Sequence, residues 1–132
     1  MTVARSENGD VVGFVMSYRP PQARNTIFVW QIGVAPEAAG QGLGGRLLDA
    51  LVDQVVAASA NEPEESRVRF MEATVTPDNA ASRNLFKAFG RRRGANVEIT
   101  SDFYSVTDFP AEAADGSALS HEPEDKFVIG PF

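Results

Sequence analysis

The sequence has 132 residues, of which 43% are hydrophobic and 23% are charged, values typical of one compact domain that can bury a core. It contains no cysteine and one histidine, which excludes disulfides, a cysteine nucleophile and thiolate or histidine-rich metal sites. The net charge of -6 disfavours a nucleic-acid partner, and without a long apolar run or a signal-peptide layout we expect a cytoplasmic protein with no membrane partner.

Three β-strands are predicted at the start of the chain. Residues 3–5 form a short extended run, and the Asn8-Gly9 dipeptide that follows is a strong hairpin signal. Val11–Tyr18 is the second predicted strand and ends before two prolines. Thr26–Val34, rich in β-branched and aromatic residues, is the third. The chain is therefore predicted to open with an antiparallel meander.

The hydrophobic period changes at Leu43, where a helix is predicted. Apolar residues then recur at helical spacing and polar residues take the other side, until the pattern fades near Ala57 to Asn61. A polar loop follows. Residues 68–75 are then a further predicted strand.

The second predicted helix has clear end signals. Thr76 is a suitable N-cap, Pro77 suits the first helical position, and Asp78 favours the positive end of the helix dipole. Residues 91–93 are three arginines at the carbonyl end, and Gly94 is the predicted stop. This placement explains the arginines better than a nucleic-acid patch does.

Two more strands are predicted, at Val97–Tyr104 and at residues 126–129, separated by an acidic stretch of low hydrophobicity from 107 to 125. The chain shows no internal repeat and no second domain, so residues 1–132 are predicted to form a single domain. The predicted fold class is α/β (α+β), with the element order β-β-β-α-β-α-β-β.

The run Gly40-Gln41-Gly42-Leu43-Gly44-Gly45 lies between a predicted strand and a predicted helix. It satisfies the G-x-G-x-x-G pattern of dinucleotide-binding proteins, but it follows the third strand rather than the first, and two helices are too few to cover a doubly wound sheet. A tight turn without a ligand would not need so many glycines, which cost backbone entropy. Bare amides at a helix start form an anion site, so we predict that this turn binds phosphate.

Two segments resemble the GNAT acetyltransferase superfamily. Val34-Ala35-Pro36 with the glycine run is similar to its coenzyme A signature, whose core is Arg/Gln-x-x-Gly-x-Gly, and residues 76–86 are similar to its second cofactor segment. The resemblance implies a GNAT-like mixed, mostly antiparallel sheet flanked by helices. It also implies acetyl-CoA as cosubstrate, acetylation of an amine, no metal, and a homodimer.

Four further segments resemble the branch of this superfamily that acetylates the 4-amino group of L-2,4-diaminobutyrate in ectoine biosynthesis, a response to osmotic stress. They are residues 28–31, 44–51, 72–79 and 129–132. Two other functions stay open at this point. One is acetylation of another small or protein amine, and the other is a non-catalytic acetyl-CoA-binding module.

The resemblance assigns cofactor binding to three groups of residues. Backbone amides of the glycine turn would hold the pyrophosphate, the end of the third strand would pair with the extended pantetheine arm, and the second helix would lie along the cofactor. An amide near Gly33 or Val34 would polarise the thioester carbonyl. The groups are Gln41, Gly42, Leu43, Gly44, Gly45 and Arg46; Ile32, Gly33 and Val34; and Asn79, Ser82 and Phe86.

The acceptor side needs a base, because an ammonium ion has no lone pair and an alkyl amine has a pKa of about 10.4. Glu72 is the candidate base, since strand alternation turns it away from Met71 and Ala73. Trp30 is a candidate wall of the acceptor site, and Thr74 is a candidate hydrogen-bonding residue. A solvent-facing glutamate, a core tryptophan and an ordinary strand threonine are the alternatives.

The sequence departs from the superfamily pattern in three places. Ala39 stands where Arg or Gln often begins the motif, which removes one cationic contact to phosphate. Phe86 stands where many members have the tyrosine that acts as general acid, and neither Tyr18 nor Tyr104 is placed in that role by the sequence. The superfamily also has a strand and two helices before the hairpin with which this sequence begins, and those helices help to form the acceptor pocket.

Overall fold

The structure of the protein, a computed structural model, describes residues 2–104 and 124–132. Its helices and strands follow the predicted order, and most of the acidic stretch, residues 105–123, lies outside the described residues. The elements are β1 Thr2–Arg5, β2 Val11–Tyr18, β3 Thr26–Val34, α1 Leu43–Ser59, β4 Phe70–Val75, α2 Ala80–Arg93, β5 Val97–Tyr104 and β6 Glu124–Ile129.

The strands form one mixed sheet in the order β1-β2-β3-β4-β6-β5. Every neighbouring pair is antiparallel except β3 and β4, which run parallel. The parallel pair is a crossover through α1, as parallel strands require. The predicted mixed, mostly antiparallel sheet is therefore confirmed.

Both helices pack on the same face of the sheet. Strand alternation turns one side chain in two toward this face, and these residues are buried together with the apolar stripes of the helices. The buried core includes Val15, Ile27, Val29, Met71, Ala73, Val75, Phe127 and Ile129 from the sheet, and Leu47, Leu48, Leu51, Val52, Phe86 and Phe89 from the helices. The opposite face, which we call the open face, carries no helix among the described residues.

The predicted start of α2 is wrong by several residues. The helix begins at Ala80, and Asn79 is its N-cap, with a side-chain oxygen that accepts a hydrogen bond from the Ser82 amide at 3.1 Å. Thr76 caps nothing here; its carbonyl accepts a turn bond from the Asn79 amide. The predicted stop is confirmed, since Gly94 has a φ of 62°, which favours glycine.

The arginines at the end of α2 tie the two helices together. Arg93 contacts the carboxylates of Asp49 and Asp53 on α1, with N–O distances of 3.3 and 3.1 Å, and Arg92 contacts Asp49 at 3.3 Å. The guanidinium groups of both also lie over the Phe89 ring. These contacts give Arg92 and Arg93 a structural role between the two helices, as preferred from the sequence over a nucleic-acid patch.

An ion pair between Arg19 and Glu62 joins the β2–β3 loop to the α1–β4 loop. Arg19 donates to both carboxylate oxygens of Glu62, at 2.8 and 3.0 Å, and to the carbonyl oxygens of Arg24 and Ser66. The hydrogen bonds from Arg19 are the main cause that lowers the pKa of Glu62, and they raise that of Arg19. The pair therefore links the β2–β3 loop to the α1–β4 loop.

We expect this pair to make stability depend on pH. Because the folded-state pKa of Glu62 lies below its unfolded value of about 4.3, its contribution is full above that value and is lost as the pH falls through the lower folded value. Glu62→Gln should lower Tm at pH 7, and the gap to wild type should narrow as the pH falls below about 4.3. A gap of the same size at pH 3 and pH 7 would contradict the assignment. Glu65→Gln in the same loop is the control.

Candidate active site

A β-bulge at Trp30 interrupts β3. Val29 pairs with Ser17 and Gln31 pairs with Met16, so Trp30 is an extra residue with no partner on β2. A bulge reverses the facing of the side chains beyond it. Val29 is buried against the helices before the bulge, and Ile32 and Val34 pack against the same core after it.

The parallel ladder between β3 and β4 stops at the bulge. Its last pair is Val29 with Ala73, although β3 continues to Val34 and β4 to Val75. The two strands separate beyond this point. The sheet therefore contains a wedge-shaped gap between adjacent strands, open at the carboxyl ends of both.

The edge of β3 along this gap presents backbone amides. The Ala35 amide donates to the Val12 carbonyl at 2.8 Å, so the pairing with β2 turns the peptide groups of Gly33 and Ala35 toward β2. By strand alternation, the N–H and C=O groups of Ile32 and Val34 face the gap. Of the amides near Gly33 or Val34 that were predicted to polarise the thioester carbonyl, the Val34 amide is the one that faces the gap. A Cβ at Gly33 would lie 2.7 Å from the Phe14 ring, so a larger residue here would require that ring to shift.

The gap is the mouth of a cleft of about 280 Å³. Its walls come from β3, β4, the start of α2 and the start of β6. Six residues predicted for the site, from both the cofactor and acceptor groups, lie together in it: Trp30, Ile32, Thr74, Asn79, Ser82 and Phe86. The other lining residues are Val29, Gln31, Ala73, Val75, Thr76 and Glu124. Trp30 is 54% exposed, so it is not a core tryptophan.

The glycine turn lies beside this cleft. Gly44 packs on Leu85, the neighbour of Phe86, so closely that a Cβ would lie 3.3 Å from the leucine side chain. Gly40 and Gly42 have φ values of 80° and 71°, a left-handed conformation that favours glycine. The turn therefore needs its glycines for conformation as well as for close packing.

The start of α1 offers unsatisfied donors. Gly42 is the N-cap and has no side chain to accept from the first turn, and the first helical bond at this end is from Arg46 N–H to Gly42 O. The amides of Leu43, Gly44 and Gly45 thus point out of the helix end without a helical acceptor. Arg46 is exposed and has no ion-pair partner within the described ranges. Positive potential and bare amides make this end suited to phosphate.

Glu72 lies on the open face next to the cleft rather than inside it. Its side chain is 21% exposed and its Oε1 atom is 2.9 Å from Nζ of Lys126, a residue of β6 that pairs with Thr74. Both charged residues line a shallow depression with Tyr18, Pro20 and Phe28 among its walls. Glu72 is thus half-buried and paired, not simply solvent-facing.

Two residues that the sequence left unassigned border the site. Glu124 lines the cleft, and Lys126 lies across from Thr74. An earlier start of β6 would have found Glu124; the strand was predicted two residues late because Glu124 and Asp125 read as the end of the acidic stretch. Lys126 was inside the predicted strand, but its pairing with Thr74 depends on a register that the sequence does not show. Tyr18 faces the depression, with its ring tilted against that of Phe28 and the two centroids 5.4 Å apart, and the Tyr104 side chain lies outside what the structure describes.

The family is decided by comparison with known proteins. The profile of the acetyltransferase (GNAT) family matches residues 1–90, more than half of the sequence. The chain belongs to the acetyltransferase (GNAT) family. The cleft between separated strands and the glycine turn are thus found in a GNAT domain.

Relatives within the GNAT family are similar over nearly the whole chain. L-2,4-diaminobutyric acid acetyltransferases of Marinococcus halophilus and Streptomyces coelicolor are each 38% identical over 130 residues, 98% of this chain. These residues cover 66% and 68% of the two relatives. Across eight such relatives the chain spans roughly three fifths to two thirds of their length, from 59% to 68%.

Solved GNAT structures agree with the fold. The diaminobutyrate acetyltransferase EctA of Paenibacillus lautus, in complex with L-2,4-diaminobutyric acid and coenzyme A, has a TM-score of 0.74 and 36% identity. The match covers 98% of this chain and 68% of that one. A phosphinothricin acetyltransferase of Sinorhizobium meliloti, at 22% identity and a TM-score of 0.62, shares the fold.

Within residues 2–104 and 124–132, no helix has the length and apolar character of a membrane span.

Proposed function

We propose that this GNAT protein transfers the acetyl group of acetyl-CoA to the 4-amino group of L-2,4-diaminobutyrate, giving N4-acetyl-L-2,4-diaminobutyrate, a step of ectoine biosynthesis. The observation that carries the proposal is the cleft between β3 and β4, which brings Trp30, Thr74 and the α2 residues together beside the glycine turn. Support for the substrate comes from the diaminobutyrate acetyltransferases to which the chain is 35–38% identical.

Acetyl-CoA fits the residues on the cofactor side. The bare amides of the α1 end would hold its pyrophosphate, and the gap-facing edge of Ile32 and Val34 would pair with the amide-bearing pantetheine arm, a strand-addition contact. Ser82 and Phe86 on α2 would close the other side. Acetyl-CoA supplies an activated acetyl thioester when bound.

The chemistry requires the substrate amine in its neutral form. We propose that Glu72 accepts a proton from the 4-ammonium group, through a bridging water because it lines the neighbouring depression. The amine nitrogen would then form a bond to the thioester carbonyl carbon, the C–S bond would break with coenzyme A leaving as a thiolate, and the nitrogen would lose its second proton to water as the amide forms. The Val34 amide would donate to the oxygen on which negative charge develops.

The acceptor side is proposed to hold the substrate chain against Trp30. Its exposed ring at the bulge offers a flat surface for the methylene groups and a π face for a cation. Thr74 lies on β4 across the cleft and would form a hydrogen bond with the substrate.

No residue is assigned here as the general acid that protonates the thiolate. The homodimer and the cytoplasmic location stay predictions.

The test is an acetyl-transfer assay with the thiol product measured as it forms. With acetyl-CoA and L-2,4-diaminobutyrate, thiol release should be matched by N4-acetyl product identified by NMR. Activity with other amines but not with diaminobutyrate would favour a different GNAT substrate. Coenzyme A binding without turnover on any amine would favour the non-catalytic module.

The glycine turn gives a sharper test of coenzyme A binding. Gly42→Ala should weaken coenzyme A affinity by about 10-fold or more, because relief of the left-handed strain rotates the peptide groups that present the amides. The matched control is Gly9→Ala in the hairpin turn, where φ is 87° and an added Cβ likewise meets nothing within 4 Å.

Both substitutions should destabilise the protein similarly, by about 1–2 kcal/mol. Only Gly42→Ala should change the Kd for coenzyme A, measured by calorimetry. Equal affinities for the two variants would contradict phosphate binding at this turn.

A further inference from the structure

The first turn of α2 lies against the cleft but has little apolar anchorage. Residues 77–81, which lead into this turn, are exposed. The buried side chains of the helix begin at Phe86, one turn further on. Ser82, the residue of the first turn that lines the cleft, therefore depends on contacts other than burial in the core for its position.

Arg83 joins this turn to the sheet. Its Nη1 atom is 2.5 Å from the Oδ2 atom of Asp125 on β6, and the two side chains are 21% and 8% exposed. The guanidinium also lies 5.3 Å from the centre of the Phe127 ring, which is itself tilted against Phe86. A charge-assisted bond at this degree of burial is short and directional, so it fixes the distance between the helix and the strand.

Both ends of the ion pair adjoin residues of the cleft. Arg83 follows Ser82 on α2, and Ser82 lines the cleft. Asp125 follows Glu124, another lining residue, and pairs with Val75 at the end of β4. Arg83 and Asp125 do not line the cleft themselves.

We infer that the Arg83–Asp125 ion pair sets the position of the first turn of α2 relative to the sheet, and that Arg83 is thereby a positioning residue for coenzyme A. The inference rests on the proposed function, in which Ser82 and Phe86 lie along the cofactor. The pair acts on the cofactor side of the cleft. It does not act on the acceptor side, which is formed by Trp30 and Thr74.

The other end of α2 offers a matched control. Arg93 also contacts carboxylates, those of Asp49 and Asp53, and its guanidinium lies 5.5 Å from the centre of the Phe89 ring. Its side chain is 25% exposed, close to the value for Arg83. Arg93 is about 15 Å further along the helix axis, and these partners do not line the cleft. Its replacement removes the same kind of interaction away from the first turn.

The experiment measures the Kd for coenzyme A by calorimetry, at a temperature well below the unfolding midpoint of each variant. Arg83→Met should weaken binding by about 5- to 10-fold, the equivalent of one hydrogen bond lost from the cofactor. Arg83→Lys should bind within about 3-fold of wild type, because it keeps a charge-assisted bond. Arg93→Met should leave the Kd unchanged. In steady-state kinetics, Arg83→Met should raise the KM for acetyl-CoA and leave that for diaminobutyrate unchanged.

A double substitution separates position from stability. Arg83→Met alone leaves the buried Asp125 carboxylate without this cation, which destabilises the fold. Arg83→Met combined with Asp125→Asn removes the carboxylate as well. Because the link between α2 and β6 is broken in both cases, the double variant should show the same rise in Kd.

Equal Kd values for Arg83→Met, the double variant and Arg93→Met would overturn the positioning role while the proposed function stands. A KM for diaminobutyrate that rises as much as that for acetyl-CoA would also overturn it, since the effect would then not be confined to the cofactor side. A wild-type protein that neither binds coenzyme A nor acetylates diaminobutyrate would overturn the proposed function and the inference together.

Discussion

Replacing Glu72 by glutamine is expected to lower kcat/KM for diaminobutyrate by about 10²–10⁴ near pH 7, the usual contribution of a positioned base. Glutamine keeps the size of the side chain and its hydrogen bond to Lys126 but cannot accept the proton. The coenzyme A affinity should not change, because Glu72 lines the depression and not the cofactor side of the cleft. Steady-state kinetics and calorimetry together check both statements.

The deficit of Glu72→Gln should shrink as the pH approaches about 10.4, where a free alkyl amine is increasingly neutral without help. Glu98→Gln is the matched control. Glu98 is an exposed residue of β5. It lies in the same row of the sheet as Glu72, because both residues pair with Val128 on β6. A Glu72 variant with the rate of the Glu98 variant at every pH would remove Glu72 from the role of base.

Replacing Val34 by proline is expected to lower kcat/KM by about 10²–10³, the effect of removing one donor to a developing oxyanion. Proline has no N–H, and the Val34 amide is one of the two that strand alternation turns toward the gap. The loss should appear in kcat, because the donor acts most strongly on the transition state.

The control for this substitution is Val34→Ala, which removes the same packing against the core but keeps the amide. Alanine should therefore cost stability without the fall in kcat. Thermal unfolding of both variants shows whether they are folded at the assay temperature. Similar kcat values for the proline and alanine variants would show that the Val34 amide does not assist the reaction.

Local sequence signals predicted most of the fold. The bounds of β2 and β3 were predicted to the residue, because two prolines end one strand and a β-branched run defines the other. The start of α2 was not predicted correctly, since Thr76 and Asn79 are both good N-cap residues. Which of them caps the helix depends on the path of the chain between β4 and α2. A competition of this kind is decided by tertiary structure.

The candidate site was likewise predictable only where it depends on local sequence. The glycine turn was predictable because backbone conformation and helix start are both local. The cleft was not predicted, because it depends on the parallel pairing of β3 with a strand more than 40 residues away. A signal for the bulge was nevertheless present: the buried positions Ile27 and Val29 are odd-numbered, and the core-facing Ile32 and Val34 are even-numbered.

The separation of β3 from β4 also couples ligand binding to the thermodynamics of folding. The peptide groups of a sheet are normally hydrogen-bonded to neighbouring strands, but here the edge of β3 beyond Val29 has no partner on β4. Under the proposed function, coenzyme A would act as a short additional strand, and its binding would stabilise the folded state by an amount that rises with the logarithm of its concentration. Cellular supply of coenzyme A would thus set not only how fast such a protein works but also how much of it stays intact.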